Sequence, residues 1–330
     1  MKKKFNIIFM GTPDFAVPSL KALAKYNCNI NLVVTQPDRP KGRGKKIIAP
    51  PVKTAAMELG LDIIQPESIN GEEIKEKLAR LKPDVFVIVA FGHKLSRELL
   101  DLPSILPINI HASLLPKYRG SSPIQAAILN MDKKAGVTTM VMDEGLDTGD
   151  ILLKAETPIT CEATASDLHD KLAQMGADLI IKTLDAIHDN KITPIPQNNE
   201  MATFAPMLKK NDGKINWEDK PEKINALVRA MTPWPGAFTF LNGKRIKIFK
   251  ISCTEQKLDP ETDSPVKDIA PLENIEPGTV LLCDSRGIRV AAGNEGYVTI
   301  LELQAAGGKR LLACEFIRGK KFETGTLFDN

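Results

Sequence analysis

Residues 85–116 read VFVIVAFGHKLSRELLDLPSILPINIHASLLP, and this stretch decides the fold class. It contains two continuous apolar runs, Val85–Ala90 and Ile105–Ile110, each about the length of one β-strand. Strands without polar alternation are typical of parallel sheets, because helices cover both faces of such sheets. The second run ends at the polar residues Asn109 and His111. The stretch therefore predicts two core strands, with polar side chains where the second one ends.

The same alternation of apolar strands and helical segments extends through about residue 190. Further predicted strands are Phe5–Met10, Ile30–Thr35 and Leu61–Ile64, and predicted helices are Pro18–Tyr26, Glu72–Leu81 and Ile124–Leu129. Two later runs, Gly136–Met142 and Ile151–Ala155, predict a hairpin at the sheet edge. The pattern predicts an α/β fold with a doubly wound, mostly parallel, Rossmann-like sheet.

A long amphipathic helix, Ser166–Asp189, is predicted to close this first domain, with Ser166 as its N-cap. We therefore assign residues 1–189 to the first domain. The following segment, 190–209, contains prolines and lacks periodicity, which predicts a linker.

Residues 210–330 show one helical segment followed by short strands separated by turn residues. The predicted elements are a helix over Glu222–Met231 and strands over Phe238–Phe240, Arg245–Ser252, Gly278–Cys283, Gly287–Ala291 and Val298–Leu303. Short strands of this kind predict a small OB-like β-barrel. Residues 254–277 hold nine charged residues, four prolines and no aromatic residue, which predicts a mobile insertion.

The composition is ordinary for a soluble globular protein, with 43% hydrophobic and 26% charged residues among 330. No apolar run approaches the roughly 20 residues that cross a bilayer, so no membrane partner is expected. Five widely spaced cysteines and four histidines form neither a C-x-x-C pair nor a His/Cys cluster. We therefore expect no metal and a reducing, cytoplasmic location.

The distribution of charge is more informative than the net charge of +3. From Pro206 onward, and outside residues 254–277, there are 17 Lys and Arg against 10 Asp and Glu, a net +7. This excess fits an anionic partner such as nucleic acid, and it fits solvated surface lysines equally well.

The first strand ends in Met10-Gly11-Thr12-Pro13-Asp14-Phe15. A dinucleotide-binding turn would have G-x-G-x-x-G at this place. Only Gly11 is present, and Pro13 lacks a backbone donor. The sequence therefore predicts a doubly wound sheet without a standard nucleotide site.

Asn109 and His111 are the first candidates for chemistry, because residues i and i+2 of a strand face the same side. In an open α/β sheet, ligands bind beyond the carboxyl ends of the strands. An imidazole there can take a proton from an attacking amine, and an amide can stabilise a developing oxyanion. A hydrogen-bonded structural pair is the alternative interpretation.

The acidic segment Met142–Asp150, with the sequence MDEGLDTGD, is the second candidate. Its spacing alone favours a hairpin turn, and it lacks the central glycine and terminal glutamate of a calcium loop. If its carboxylates line the same crevice, one of them can orient the imidazole.

Three motifs in this order resemble the folate-dependent formyltransferases: Phe91-Gly92-His93-Lys94-Leu95, Asn109 to Gly120 (NIHASLLPKYRG), and Asp143 to Asp150 (DEGLDTGD). The opening segment Phe9–Ala16 (FMGTPDFA) and the basic loop Gln36–Lys46 (QPDRPKGRGKK) narrow the resemblance to members that act on methionyl-tRNA. The resemblance spans nearly the whole chain. The long, acidic 254–277 segment departs from it.

The resemblance implies that Asn109, His111 and Asp147 are catalytic and that 10-formyltetrahydrofolate is the formyl donor, without a metal. It implies that the folate is held by Val89, Phe91, Gly92, Leu95, Ser113, Leu114, Leu115, Pro116, Met142, Asp143 and Glu144. Asp147 would hold the imidazole in its useful tautomer and charge state. His93 matches no catalytic position.

The resemblance further implies that the loop 36–51 reaches the acceptor stem of the initiator methionyl-tRNA, in bacterial translation initiation. Its basic residues are Arg39, Lys41, Arg43, Lys45 and Lys46. Such residues can contact phosphates, although a solvated mobile loop has the same composition. We expect the protein to be a monomer.

Two alternatives remain open at this point. A formyltransferase of the same fold could act on a small amine, such as a sugar nucleotide or a ribonucleotide glycinamide, and would need no basic loop. A non-enzymatic RNA-binding protein on this fold would not need Asn109, His111 and Asp147, all of which are present.

Overall fold

A computed structural model describes residues 5–41, 46–253, 275–319 and 323–329. The chain forms two compact units. The N-terminal unit comprises Met1–Ile124, Lys134–Ile159 and Asp167–Pro206, and the C-terminal unit comprises Gln125–Lys133, Thr160–Ser166 and Met207–Asn330. None of the helices in the described ranges is long and apolar enough to cross a membrane.

The described residues of the N-terminal unit form nine strands. They are β1 (Asn6–Gly11), β2 (Asn29–Val34), β3 (Arg39–Lys41), β4 (Lys46–Ile48), β5 (Ile63–Ile64), β6 (Val85–Val89), β7 (Leu106–His111), β8 (Lys134–Val141) and β9 (Ile151–Pro158). Seven form one sheet in the order β5-β2-β1-β6-β7-β8-β9, and β3 pairs with β4 separately. The first five strands in this order are parallel to one another, whereas the pairs β7/β8 and β8/β9 are antiparallel. The predicted doubly wound, mostly parallel sheet is confirmed.

The helices of this part of the chain are α1 (Val17–Lys25), α2 (Pro51–Glu58), α3 (Glu72–Arg80), α4 (Arg97–Leu100), α5 (Pro123–Leu129) and α6 (Ala165–His188). The bounds predicted for α1, α3, α5 and α6 differ from these by at most one residue at each end, and helix ends commonly shift by that much. The sequence did not predict α2 and α4. The prediction that Ser166 is the N-cap of α6 is wrong. The helix begins at Ala165, so Ser166 lies inside its first turn.

The core of the N-terminal unit explains why the apolar runs form strands. Every residue of β6 is buried, as are all residues of β1 except the first. Ile8, Met10 and Val34 pack with Phe86 and Ile88 in one hydrophobic cluster on a face of the sheet. Fully buried strands of this kind have no polar alternation, because both of their faces are covered.

Gly176 of α6 lies against the strand that carries Asn109 and His111. A Cβ atom at this position would lie 3.0 Å from Cγ2 of Ile110 and 3.6 Å from Cγ1 of Val137. The missing side chain therefore allows α6 to pack closely behind β7 and β8. Ile110 points to α6, so its neighbours Asn109 and His111 point to the other face of the sheet.

The proline-containing segment after α6 lies along the N-terminal unit as extended chain. Ile195 pairs with Ile151 of β9, and Phe204 pairs with Arg119. A short 3₁₀ helix, Asn199–Met201, lies between these two pairs. The composition predicted a linker, and the backbone pairing shows that this segment is fixed to the unit through Pro206.

The C-terminal unit contains an antiparallel sheet. Its elements are α7 (Pro221–Ala230), β10 (Ala237–Leu241), β11 (Lys244–Ser252), β12 (Val280–Asp284), β13 (Gly287–Ala292), β14 (Gly296–Ala305), β15 (Leu311–Leu312) and α8 (Ala313–Gly319). The strand order is β10-β11-β14-β13-β12, with β15 on β14. The sequence did not predict α8, and most of the predicted insertion 254–277, residues 254–274, lies outside the described residues.

The C-terminal segment links the two edges of this sheet. Asp329 pairs with Phe240 of β10, and Leu327 pairs with Thr279 beside β12. Trp217 is fully buried in this unit and stacks on Phe328 of the same segment, at 5.5 Å between ring centroids. The sheet is thereby closed in the manner of the predicted barrel.

Filling the space at Gly176 should destabilise the N-terminal unit. Gly176→Leu adds a side chain where only a hydrogen now fits, and overpacking of this kind costs about 1–3 kcal/mol. Gln174→Leu, at an exposed position of the same helix, should change the free energy of unfolding by no more than about 0.5 kcal/mol. Denaturant unfolding of both variants and the wild type measures the difference. Equal stability of the two variants would show that α6 does not pack on β7 through Gly176.

Candidate active site

Asn109 lies in the middle of the sheet at the carboxyl end of β7. It is paired with Ile88 of β6 on one side and with Met140 of β8 on the other. Its side chain is half-buried and makes no hydrogen bond to any residue in the described part of the chain. An amide in this position has donors available for a ligand, as an oxyanion site requires.

His111 is the last residue of β7, and its side chain is buried, with 6% of the residue exposed. Its Nε2 lies 3.0 Å from the backbone carbonyl oxygen of Tyr118. A carbonyl can only accept, so Nε2 must carry the proton of this hydrogen bond. In the neutral ring, Nδ1 is therefore the nitrogen that is free to accept a proton.

The tautomer of His111 is thus set by a residue that the sequence did not indicate. The sequence-based expectation gave this role to Asp147. In the structure the Tyr118 carbonyl holds the Nε2 proton, because the chain turns back there with Tyr118 in a left-handed conformation (φ 62°). A backbone carbonyl leaves no signature in the residue types, so sequence reasoning had no signal for it.

Asp147 approaches His111 from the acidic segment after β8. Its Oδ1 lies 3.5 Å from Nδ1 of His111, and its Oδ2 accepts a hydrogen bond from the backbone N–H of Gly120 at 2.8 Å. The first distance exceeds that of a normal hydrogen bond. The carboxylate therefore faces Nδ1 as a counter-charge for the protonated ring, with room for small displacements. The structure brings His111 and Asp147 together, as the sequence predicted.

The rest of the acidic segment makes its own turn. The Asp143 carboxylate accepts hydrogen bonds from the Thr148 hydroxyl at 2.7 and 2.8 Å and from the Gly145 N–H at 3.0 Å. Asp143 therefore stabilises the turn that the spacing favours, whereas Asp147 supplies the carboxylate that faces the imidazole. Within the described ranges, no group of three His, Cys, Asp or Glu side chains could hold a metal ion.

The residues expected to hold folate follow three neighbouring strands. Val89 is the last residue of β6 and Phe91 to Leu95 follow it, Ser113 to Pro116 follow β7, and Met142 to Glu144 follow β8. Phe91 and Leu95 are buried in the hydrophobic core, and Met142 packs against the same cluster. The Thr138 hydroxyl donates to the Ser113 carbonyl and accepts from the Leu115 N–H, which fixes the second segment to β8.

Two features of the first of these segments suit a bound heterocycle. Gly92 has φ 82°, and a Cβ atom there would lie 2.7 Å from Nε2 of Gln36. Nε2 of His93 is buried and has no hydrogen-bond partner among the residues described. An unpaired buried nitrogen beside apolar side chains is a group that a ligand can satisfy.

Three non-glycine residues with left-handed backbone lie at the ends of the central strands: Ala90 (φ 46°), Tyr118 (φ 62°) and Asp147 (φ 53°). Conformations of this kind cost about 1–3 kcal/mol each and persist where the surrounding structure over-determines them. Two of the three present atoms to His111. Part of the backbone strain therefore lies at the candidate site, although six other described non-glycine residues with positive φ lie elsewhere.

The basic loop is a β-hairpin, which the sequence did not predict. Arg39 pairs with Ile48, Pro40 with Ile47 and Lys41 with Lys46. Arg39 and Lys46 are exposed, and Ile47 is 73% exposed. Two of the expected contact residues, Arg43 and Lys45, lie outside the described residues, as does the side chain of Lys41.

Asp38 and Lys53 close the base of this hairpin. Nζ of Lys53 lies 2.7 Å from the Asp38 carboxylate, and Nε2 of Gln65 donates to the same carboxylate at 2.7 Å. The hydrogen bond from Gln65, followed by that from Lys53, holds the pKa of Asp38 below its ordinary value. The carboxylate is therefore ionised at neutral pH and ties both ends of the hairpin to the sheet.

Solved structures with low sequence identity share this fold. One is the N-formyltransferase from Helicobacter canadensis in complex with folinic acid and dTDP-3-aminofucose, with a TM-score of 0.66 and 22% identity, covering 91% of this chain and 99% of that one. Another is HypX from Aquifex aeolicus in complex with tetrahydrofolic acid, with a TM-score of 0.60 and 17% identity, covering 99% of this chain and 51% of that one.

Sequence comparison is more specific. The formyl transferase model matches residues 3–184, and the model of the formyl transferase C-terminal domain matches residues 207–321. The methionyl-tRNA formyltransferase of Syntrophus aciditrophicus is 43% identical over 324 residues, or 98% of this chain and 99% of that protein. The methionyl-tRNA formyltransferase of Thermodesulfovibrio yellowstonii is 46% identical over 320 residues, or 97% of each chain. The chain therefore belongs to the formyl transferase family, among the methionyl-tRNA formyltransferases.

Proposed function

We propose that this enzyme transfers the formyl group of 10-formyltetrahydrofolate to the α-amino group of initiator methionyl-tRNA. The observation that carries the proposal is the approach of Asp147 to His111, at 3.5 Å, where His111 lies on the strand that also presents the free amide of Asn109. Similarity to methionyl-tRNA formyltransferases over nearly the full chain supports it. Translation initiation takes place in the cytoplasm, which is the location that the proposal implies.

The reaction moves one carbon and one proton. The neutral α-amine attacks the formyl carbon, a C–N bond forms, and the carbonyl electrons move to oxygen. The intermediate collapses when the bond between the formyl carbon and N10 of the folate breaks. One proton leaves the amine and one reaches N10, so no external acid, base or oxidant is consumed.

His111 carries the proton in this scheme, at Nδ1. Its Nε2 is occupied by the hydrogen bond to the Tyr118 carbonyl, so Nδ1 takes the proton of the amine and returns it to the leaving nitrogen. Asp147 stabilises the ring while it is positively charged. Because His111 is buried, this charge interaction is stronger than it would be in water.

Asn109 stabilises the oxyanion of the tetrahedral intermediate. Its side-chain N–H groups have no partner in the described part of the protein, and the strand holds the residue rigidly between β6 and β8. A fixed donor avoids reorganisation at the moment when the charge develops. No step in this scheme requires a metal ion.

The acceptor is a nucleic acid rather than a small amine. The hairpin 39–48 presents Arg39 and Lys46 to solvent, and its base is tied by Asp38. Basic groups on a fixed hairpin can follow phosphates, whereas a small acceptor amine would need no such element. The folate is held by the segments after β6, β7 and β8.

Replacement of the proposed catalytic side chains should abolish most of the turnover. Asn109→Ala, His111→Ala and Asp147→Ala should each lower kcat by about 100-fold or more, the usual scale for losing an oxyanion donor or a general base. Formyl transfer to methionyl-tRNA with 10-formyltetrahydrofolate as donor measures the loss. Asp101→Ala, at an exposed position of α4's end, is the control and should match the wild type. Turnover near the wild-type value in His111→Ala would refute the assignment.

Removal of a basic side chain from the hairpin should weaken use of tRNA but leave folate binding unchanged. Arg43→Ala should lower kcat/KM for methionyl-tRNA by about 1–3 kcal/mol in transition-state terms. Lys46→Ala should act in the same direction, and each variant should reduce the salt dependence by about one phosphate contact. Rates over a salt series test this, with Lys171→Ala on α6 as control. If the rate of formyl transfer changed neither with salt concentration nor with these substitutions, a small-amine acceptor would be favoured.

Loosening the base of the hairpin should have a similar, smaller effect. Asp38→Asn removes the charge that Lys53 contacts. Without this ion pair the chain around β3 and β4 should be less ordered in the free enzyme, and ordering it on tRNA binding then costs conformational entropy. We expect the KM for methionyl-tRNA to rise several-fold at neutral pH, with the KM for folate unchanged. Because the pKa of Asp38 is lowered, the wild-type contact is complete above the ordinary Asp pKa of about 3.9 and is lost only as the pH falls through the lowered value. An unchanged KM for tRNA would show that the ion pair does not order the hairpin.

A further inference from the structure

Arg119 is a buried cation whose hydrogen bonds go to neutral amides. Only 4% of the residue is exposed. Its Nε and Nη2 donate to Oε1 of Gln197 at 3.2 and 2.8 Å, and Nη2 also donates to Oδ1 of Asn199 at 2.8 Å. No carboxylate among the described residues lies within ion-pair distance of it. Burying a charge beside neutral partners is costly, so the arrangement calls for an explanation beyond stability.

Gln197 is oriented by this guanidinium. Because Oε1 faces Arg119, the two N–H groups of Nε2 must point the opposite way. They donate to the backbone carbonyl oxygens of Asp147 at 2.8 Å and of Gly149 at 2.7 Å. A cation on one side and two carbonyls on the other leave the carboxamide a single orientation.

One of these hydrogen bonds is made to Asp147, whose backbone conformation is strained. Asp147 has φ 53°, a conformation that non-glycine residues rarely adopt. Gln197 holds the carbonyl end of this residue, and the Gly120 N–H holds Oδ2 of its carboxylate. With both ends fixed, Oδ1 is directed towards Nδ1 of His111.

The segment that contains Gln197 also holds Tyr118, whose carbonyl oxygen lies at Nε2 of His111. The Thr203 hydroxyl accepts a hydrogen bond from the Tyr118 N–H at 2.9 Å, and Arg119 exchanges backbone hydrogen bonds with Thr203 and Ala205. The carbonyl that fixes the His111 tautomer and the carboxylate that faces Nδ1 are thus both held by residues 197–205.

We propose that Gln197 is a positioning residue for formyl transfer, oriented by Arg119 and acting through the backbone of Asp147. This inference rests on the proposed catalytic role of Asp147. The hydrogen bonds of Gln197 go to Arg119, Asp147 and Gly149 and not to the residues expected to hold folate or tRNA, so its loss should lower kcat and leave both KM values unchanged. Displacement of a catalytic group by about 1 Å can cost on the order of 100-fold.

The test uses a variant that keeps the oxygen acceptor facing Arg119 and replaces the N–H donors facing Asp147 and Gly149 with an acceptor. Gln197→Glu retains an acceptor for Arg119, now as an ion pair, but presents oxygen to the carbonyls of Asp147 and Gly149. We expect the melting temperature to be maintained and kcat to fall by about 10–100-fold, with KM for folate and for methionyl-tRNA within twofold of wild type. Gln197→Met, of similar shape and without hydrogen bonds, should show the same split between kcat and KM if Gln197→Glu fails to fold.

Asn199→Ala is the matched control. It removes the other acceptor of Arg119 from the same segment but touches neither Asp147 nor Gly149. It should leave kcat within about twofold of wild type. An equal loss in Asn199→Ala and Gln197→Glu would overturn the proposal, because it would show that any loosening of the segment lowers the rate. Wild-type kcat in both Gln197 variants would overturn it as well.

A double-mutant cycle separates this proposal from the proposed function. If Gln197 acts through Asp147, then Gln197→Glu should cause no further loss in an Asp147→Asn background, measured in single-turnover assays. Multiplying losses would show that Gln197 acts independently of Asp147. Wild-type turnover in Asp147→Asn alone would instead refute the catalytic role of Asp147, whatever Gln197 does.

Discussion

The imidazole of His111 is held between a backbone carbonyl and a carboxylate, and the proposed chemistry depends on that arrangement. The Tyr118 carbonyl lies 3.0 Å from Nε2, and Asp147 lies 3.5 Å from Nδ1. A neutral ring has one proton, and the carbonyl can only accept it. In the proposed mechanism the neutral ring therefore accepts a proton at Nδ1, beside the carboxylate that would stabilise the charged ring. If the carbonyl faced Nδ1 and the carboxylate faced Nε2, the proton of the neutral ring would be on Nδ1 and Nε2 would be the accepting nitrogen.

Two loops meet at the end of β7. The parallel neighbour β6 delivers the apolar segment around Phe91. The antiparallel neighbour β8 ends beside the start of β7, where the Met142 N–H donates to the Pro107 carbonyl oxygen, and the acidic segment then folds back so that Asp147 reaches His111. Close packing of α6 at Gly176 leaves no space behind β7 for the strand to move into. The proposed oxyanion donor and the proposed proton carrier thus share one strand, whereas β3 and β4, which carry the proposed tRNA contacts Arg39 and Lys46, form a separate two-stranded sheet.

The sequence predicts the parts of this site that depend on side-chain type and local period. The apolar runs locate the strands, and the spacing of Asn109 and His111 places both on one face. Tyr118 and Gln197 could not be predicted in their roles, because they act through or upon backbone carbonyls. Gln197 meets Asp147 fifty positions away in sequence, and only the path of the folded chain decides such a meeting. The pairing of β3 with β4 was missed because each strand is only three residues long, too short to show a strand period, and because β3 (RPK) contains two charged residues and a proline.

The composition of residues 195–206 does not reveal their contacts with the candidate active site. Their prolines and polar residues are typical of a linker, and a domain boundary at residue 189 would separate them from the sheet. Such a cut would remove the Gln197 contacts to Asp147 and Gly149 and the Thr203 contact to Tyr118. It would also leave Arg119 as a buried charge without its two amide acceptors. Both partners of His111 would then depend on the Gly120 N–H and on their own strained backbones. The smallest part of the chain that can hold the catalytic pair in this geometry therefore extends to Pro206, where the N-terminal unit ends.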